Sequence, residues 1–211
     1  MDKKKEDLKN FYNSVASNYK KLVADAKYSV PRWFQSHFPT SLKTKEIVVL
    51  DLACGPGNLG EILYDMNENA TLYGIDISPE MIEEAKVRKI YSKLFVSDLD
   101  ESLDKLKLPK LDVVLAFGFL EFIKSPQNLL ENVSSLLRKN GVLLCSFELK
   151  DELSDFSHKG SKGLKHNTYK LSQIELFLEN NNLKILKSES LIGYESTQTQ
   201  CPYIMILAKK I

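Results

Sequence analysis

Cysteine is scarce and unpaired in this sequence: Cys54, Cys145 and Cys201 are the only three, and none belongs to a C-x-x-C pair. An odd, widely spaced set argues against both a disulfide framework and a zinc site, so no metal is expected. A charge excess of either sign is missing too. Lys plus Arg number 29 and Asp plus Glu number 28, a formal net charge of +1. No overall field therefore draws the chain towards nucleic acid or an anionic membrane. No apolar run approaches the ~20 residues of a membrane helix. The opening MDKKKEDLKN lacks the hydrophobic segment of a signal peptide. These absences point to a reducing cytoplasm. The run Lys3-Lys4-Lys5 reads as a solvated, frayed terminus.

What is present is a regular alternation. Leu8, Phe11, Tyr12, Val15, Tyr19 and Leu22 share one face of a helix over residues 7–22, and Pro31 opens a short helix. From residue 46 the pattern turns to strand, helix, strand. Strands are expected at 46–51, 70–76, 93–98, 111–117 and 141–147. Helices fall between them: one carries Leu59, Ile62, Leu63 and Met66, and one is capped by Ser78 before Pro79 and Glu80. A weakly patterned one follows the third strand, and another runs from Ser125 to a stop at Gly141. A polar stretch over 149–170 reads as a loop, and Ser172-Gln173-Ile174-Glu175 as a capping box. Strands 183–191 and 203–210 follow with no helix between them, so they should pair antiparallel.

The expected fold is α/β: a doubly wound, mostly parallel seven-stranded sheet with a C-terminal antiparallel strand and an N-terminal helical cap. Repeats, low-complexity tracts and linkers are missing. Residues 1–211 therefore read as one domain, a cap (1–44) on a Rossmann-like core (45–211).

Between the first strand and its helix lies LDLACGPGNLG (50–60), where Gly55, Gly57 and Gly60 satisfy G-x-G-x-x-G. Glycines there let the backbone approach a nucleotide, and an acid at the end of strand two takes the ribose hydroxyls. Asp76 stands at that place. Three features disfavour a dinucleotide. Asp51, just before the glycines, suits a cationic amino group and repels a pyrophosphate. Pro56 removes an N–H that could have bound phosphate. The chain also ends in two strands where a dinucleotide fold would continue βαβ.

With these features the chain resembles the class I, seven-stranded S-adenosylmethionine-dependent methyltransferases. The likeness is carried by VVLDLACGPGNLG (48–60), LYGIDISPEMIEEAK (72–86), FVSDL (95–99), LDVVLAFGFLEFI (111–123) and the terminal hairpin. A narrower resemblance, in 11–34 and 163–186, is to predicted methyltransferases associated with tetratricopeptide repeats and to the Williams–Beuren-region methyltransferases. The superfamily resemblance implies S-adenosylmethionine as cofactor and S-adenosylhomocysteine as product. It implies that Gly55 and Gly57 pass beneath the methionine and ribose, with Ala53 and Cys54 lining the site. Asp51 would reach the amino group, directly or through water, and Asp76 would accept both ribose hydroxyls. Ile77 and Met81 flank the adenine or belong to the core. Asp98, between Ser97 and Leu99, would accept the adenine amino proton. Tyr12 and Tyr19 would lie on a lid over the cofactor or simply pack.

The acceptor side is less legible. AFGF (116–119) ends strand four without the Asn/Asp-Pro-Pro-aromatic signature of enzymes that methylate adenine or glutamine. Phe117 and Phe119 would wall the pocket, where aromatic faces favour a sulfonium. Glu121 stands where many small-molecule methyltransferases carry His; it reads as a general base, a substrate contact or an ordinary helix-start acid. His166, in the segment of narrower resemblance, is the other catalytic candidate, and His158 reads as solvated. The expected function is methyl transfer to a small molecule. Protein or RNA methylation, S-adenosylmethionine binding without turnover, and NAD-dependent redox chemistry are the rivals. Oligomeric state and acceptor are not legible.

Overall fold

The computed structural model describes residues 3–101, 103–150, 164, 167–195 and 200–211. Seven strands form one sheet: β1 (Ile47–Leu52), β2 (Ala70–Asp76), β3 (Tyr91–Val96), β4 (Leu111–Ala116), β5 (Leu137–Glu148), β6 (Leu183–Glu195) and β7 (Gln200–Lys210). Their order is β3-β2-β1-β4-β5-β7-β6. The first five run parallel, and β7 is antiparallel to both β5 and β6. The helices are α1 (Lys3–Val15), α2 (Tyr19–Asp25), α3 (Val30–His37), α4 (Asn58–Met66), α5 (Pro79–Val87), α6 (Pro126–Leu136) and α7 (Leu171–Glu179). Among the described residues, no helix is long and apolar enough to cross a membrane.

The middle of the sheet is buried on both faces because β1 and β4 are apolar at both parities. Ile47, Val49, Val113 and Leu115 pack with Trp33 and Phe34 of α3 and Leu63 of α4. Leu50, Leu52 and Val114 face the other way, with Leu130 and Val133 of α6 and Ile174 and Leu178 of α7. Helix starts follow their caps. Ser78 Oγ accepts the Met81 N–H at 3.1 Å, and Ser125 Oγ accepts the Asn128 N–H at 3.4 Å. At β1 the order turns back, with β2 on one side and β4 on the other, and that reversal opens a crevice beyond the strand ends.

Four expectations are corrected. The helix over 7–22 is broken at Ala16–Asn18 by a 3₁₀ turn. There Ser14 Oγ donates to the Phe11 carbonyl at 2.7 Å, competing with the helical ladder ahead of the poor helix formers Ser17 and Asn18. The N-terminal lysines are not all solvated: Lys5 is buried in α1 and paired with Asp98 and Asp100. Gly141 does not end α6; Leu137 already pairs with Leu111, and Asn140 (φ 68) takes the left-handed conformation within the register shift that follows. The last helix is capped two residues early. Leu149 bridges Tyr169, the helix starts at Leu171, and the Gln173 side chain accepts the Lys170 N–H at 2.9 Å.

Candidate functional site

Three strand ends build the crevice. β1 runs into the turn Ala53–Gly57, where Ala53 (φ 52), Gly55 (φ 54) and Gly57 (φ 84) are left-handed. At alanine that conformation costs ~1–2 kcal/mol. The turn is held by the Cys54 N–H donating to the Ile75 carbonyl at 2.9 Å and the Gly57 N–H to the Cys54 carbonyl at 3.0 Å. β2 ends in Asp76, which is 6% exposed. Its Oδ2 accepts the Gly55 N–H and its Oδ1 the Ser78 N–H, both at 2.8 Å. One carboxylate thus fixes the glycine turn and the start of α5. Burial pushes the Asp76 carboxyl up, and the bonds from Ser78 and Gly55 pull it back.

Between these ends opens a cavity that is partly open to solvent. Ala53, Gly55 and Asp76 line it from the strand ends, Ile77 from the turn after β2 and Met81 from the first turn of α5. Asp98 and Leu99 line it from the loop after β3, and Phe117, Gly118 and Phe119 from the exit of β4. Tyr12 and Tyr19 reach it from α1 and α2, with their rings 6.2 Å apart edge to face. A Cβ built on Gly55 would meet Tyr19 Cε1 at 3.8 Å, so that ring lies against the glycine turn. Burial pushes both tyrosines well above their ordinary values, which keeps their hydroxyls neutral.

Four expected cofactor residues stand behind this surface. Asp51 is 2% exposed, with Oδ2 accepting the Tyr91 hydroxyl at 2.8 Å. Burial pushes its carboxyl up to about 7. Cys54 is buried, and burial raises its thiol well above the ordinary value, so it is no thiolate nucleophile. Gly57 precedes α4, with the side chains of Arg88 and Tyr91 against it. Ser97 uses its backbone N–H on the Asp76 carbonyl at 2.9 Å.

Of the catalytic candidates, Glu121 is 4% exposed in the 3₁₀ turn Leu120–Phe122. Its Oε1 accepts the Tyr203 hydroxyl at 2.8 Å, and its carbonyl accepts the Asn167 N–H at 2.7 Å. His166 and His158 lie outside the described residues. Sequence reasoning missed Lys5, Leu8, Gly118, Phe122 and Ile123, all of which line the cavity. Lys5 and Leu8 were within reach: they continue the face of Tyr12 at helical spacing. Among the described residues, no group of three or more His, Cys, Asp and Glu could hold a metal ion.

Residues 43–198 match the family described as "Methyltransferase domain". The chain is similar to trans-aconitate 2-methyltransferase of Enterobacter sp. (strain 638), 31% identical over 52% of this chain and 42% of that protein. It is similar to a ubiquinone biosynthesis O-methyltransferase of Haemophilus ducreyi, 31% identical over 46% of this chain and 44% of that one. The chain thus spans less than half the length of these relatives. The magnesium protoporphyrin IX methyltransferase of Synechocystis PCC 6803, solved with S-adenosylhomocysteine bound, superposes with a TM-score of 0.71 at 19% identity. That match covers 99% of this chain and 100% of the other, and it shows a shared fold. These matches do not reach the narrower resemblance to the tetratricopeptide-associated and Williams–Beuren-region methyltransferases.

Proposed function

The chain belongs to the class I S-adenosylmethionine-dependent methyltransferases, and from that premise we propose that it methylates a small-molecule acceptor in the cavity beyond β1, β2 and β4. Asp76 carries this reading. Its carboxylate is fixed by two backbone amides at the cavity edge, and each oxygen keeps a lone pair for one hydroxyl of a ribose. The other residues fit the same ligand. Ile77, Met81 and Leu99 offer apolar surface to an adenine, and Asp98 offers an acceptor for its amino group. Phe117, Tyr12 and Tyr19 offer aromatic faces to a sulfonium. We read residues 1–44 as a cap on the 45–211 core of a single domain.

The bound cofactor supplies a methyl group on sulfonium, which transfers in line while the C–S electron pair stays on sulfur. The work left to the chain is orientation, for which effective molarities reach ~10⁵ M or more, and exclusion of water by the α1–α2 segment. A base is needed only where the acceptor must lose a proton; Glu121 and His166 are the residues we assign to that role. The relatives' names, trans-aconitate 2-methyltransferase and ubiquinone biosynthesis O-methyltransferase, support a small acceptor at this site. A net charge of +1 argues against RNA.

The deciding experiment incubates the protein with methyl-labelled S-adenosylmethionine and fractionated cell extract. Label in a small molecule, with S-adenosylhomocysteine formed, is the expected outcome. Label in protein or RNA would move the acceptor class, and saturable binding without turnover would make the protein a regulator.

A further inference from the structure

The glycines of the 50–60 segment serve a neighbour inside the protein as well as the cavity. Tyr91, the first residue of β3, runs its ring along Gly57, Gly60 and Gly74. An added Cβ would stand 3.0 Å from Tyr91 Cε2 at Gly57 and 2.9 Å from Cε1 at Gly74; at Gly60 it would overlap the hydroxyl itself. The slot delivers that hydroxyl to Asp51 Oδ2 at 2.8 Å. Arg88 closes the outer side. It donates to the Pro56 carbonyl, donates to Asn58 Oδ1 at 2.7 Å and pairs with Glu61.

Glycine inside a helix or strand costs ~0.5–1 kcal/mol relative to alanine, and both Gly60 and Gly74 are of that kind. Phenylalanine would fill the same slot. Only tyrosine brings a donor to Asp51.

We propose, on the reading that the cavity holds S-adenosylmethionine, that Tyr91 is a positioning residue for the ligand's amino group, acting through Asp51. The hydroxyl holds the Asp51 carboxyl beneath the glycine turn and favours its charged form there. The groups facing Asp51 are Tyr91 from β3, Asp76 from β2 and Cys54 from the turn, with Arg88, just after α5, beyond Tyr91. Burial pushes the Asp51 carboxyl up to about 7, the Tyr91 bond pulls it down and Asp76 pushes it up. An ammonium group above the turn stabilises the ionised carboxyl. Without the Tyr91 hydroxyl, Asp51 stays protonated to higher pH and the ammonium loses its counter-charge. The adenosine half, assigned to Asp76 and Asp98, does not depend on it.

Calorimetry with two ligands separates these effects: S-adenosylhomocysteine, and 5′-methylthioadenosine, which lacks the amino acid. For the natural protein, S-adenosylhomocysteine affinity falls as pH drops through about 7, and methylthioadenosine affinity does not. Tyr91→Phe weakens S-adenosylhomocysteine about tenfold at neutral pH, moves its transition upward and leaves methylthioadenosine within about twofold. Equal weakening of both ligands, or a flat profile for the natural protein, overturns the proposal. If Tyr91→Phe does not fold, Asp51→Asn decides, because it must flatten the S-adenosylhomocysteine profile. Failure of the natural protein to bind either ligand overturns the cofactor reading itself.

Discussion

The Lys5 ammonium stands 3.1 Å from Asp98 Oδ1, with 6% of the lysine side chain and 18% of the aspartate side chain exposed. The same ammonium lies 2.7 Å from Asp100 Oδ2. This contact fastens α1 to the loop after β3, on the side assigned to adenine. At the other end of the helix, Ser78 Oγ donates to Asn13 Oδ1 at 2.7 Å and ties α1 to the start of α5. The segment carrying Tyr12 is therefore pinned across the cavity at two points, both polar and both outside the two apolar clusters of the sheet.

Such a fastening predicts slow ligand release that depends on Lys5. Removing one partner of a buried pair costs up to ~3–5 kcal/mol, because the other charge is left uncompensated. In Lys5→Met, S-adenosylhomocysteine should dissociate at least about tenfold faster. Amide exchange should rise across residues 3–25 and stay unchanged in β1 to β5. Stopped-flow release and exchange mass spectrometry read both. An unchanged release rate would make α1 a static part of the core.

Asp51 gives a pH dependence of stability whose sign is fixed. Its carboxyl is pushed from 3.8 in the unfolded chain to about 7 in the folded one. Between those values the folded state binds more protons than the unfolded state. Stability of the ligand-free protein therefore falls as pH rises through that window and levels off above about 7. The full shift corresponds to roughly 4 kcal/mol. Urea unfolding of the natural protein and Asp51→Asn at a series of pH values isolates this contribution, since every other carboxylate is common to both. Parallel curves would mean that Asp51 is ionised in the ligand-free protein.

Glu121 and Tyr203 invite a double-mutant cycle. The carboxylate accepts the Tyr203 hydroxyl from β7 and sits in the turn that shapes the exit of β4. We expect Glu121→Gln and Tyr203→Phe each to cost ~1–3 kcal/mol of stability, and the double variant to cost less than their sum. A general-base role adds a second readout: Glu121→Gln then also loses turnover, and the loss relative to the natural protein is largest at high pH, where the natural carboxylate is ionised.

The middle of the sheet was legible because β1 and β4 are nearly continuous apolar runs, and a run buried on both faces reads the same in any register. Asp76 was legible because strand-end acid and glycine turn recur at a fixed separation. Lys5 was not, since a lysine among three at a terminus carries no periodic signal of its own; only its spacing to Leu8 and Tyr12 does. Tyr91 was not, because its role depends on space left by Gly57, Gly60 and Gly74 on three different elements. The hydrogen bond from Tyr91 to Asp51 was not legible for the same reason, since the two residues lie on different strands and no local pattern pairs them.

Asp76 supports the last prediction. Its carboxylate satisfies two buried backbone amides, of Gly55 and Ser78. Asp76→Ala therefore strands both donors, at ~1–3 kcal/mol each, and the ligand-free protein should be measurably less stable. The same substitution removes the acceptor assigned to the ribose, so S-adenosylhomocysteine affinity should fall at least about tenfold. The second effect could in principle follow from the first, through a loosened glycine turn. A cycle across protein and ligand separates them. If Asp76 accepts the hydroxyls, removing the ribose 2′- and 3′-hydroxyls from the ligand should weaken binding to the natural protein and hardly change binding to Asp76→Ala. If Asp76 only holds the turn, the two losses should add, and the deoxygenated ligand should be penalised equally by both proteins.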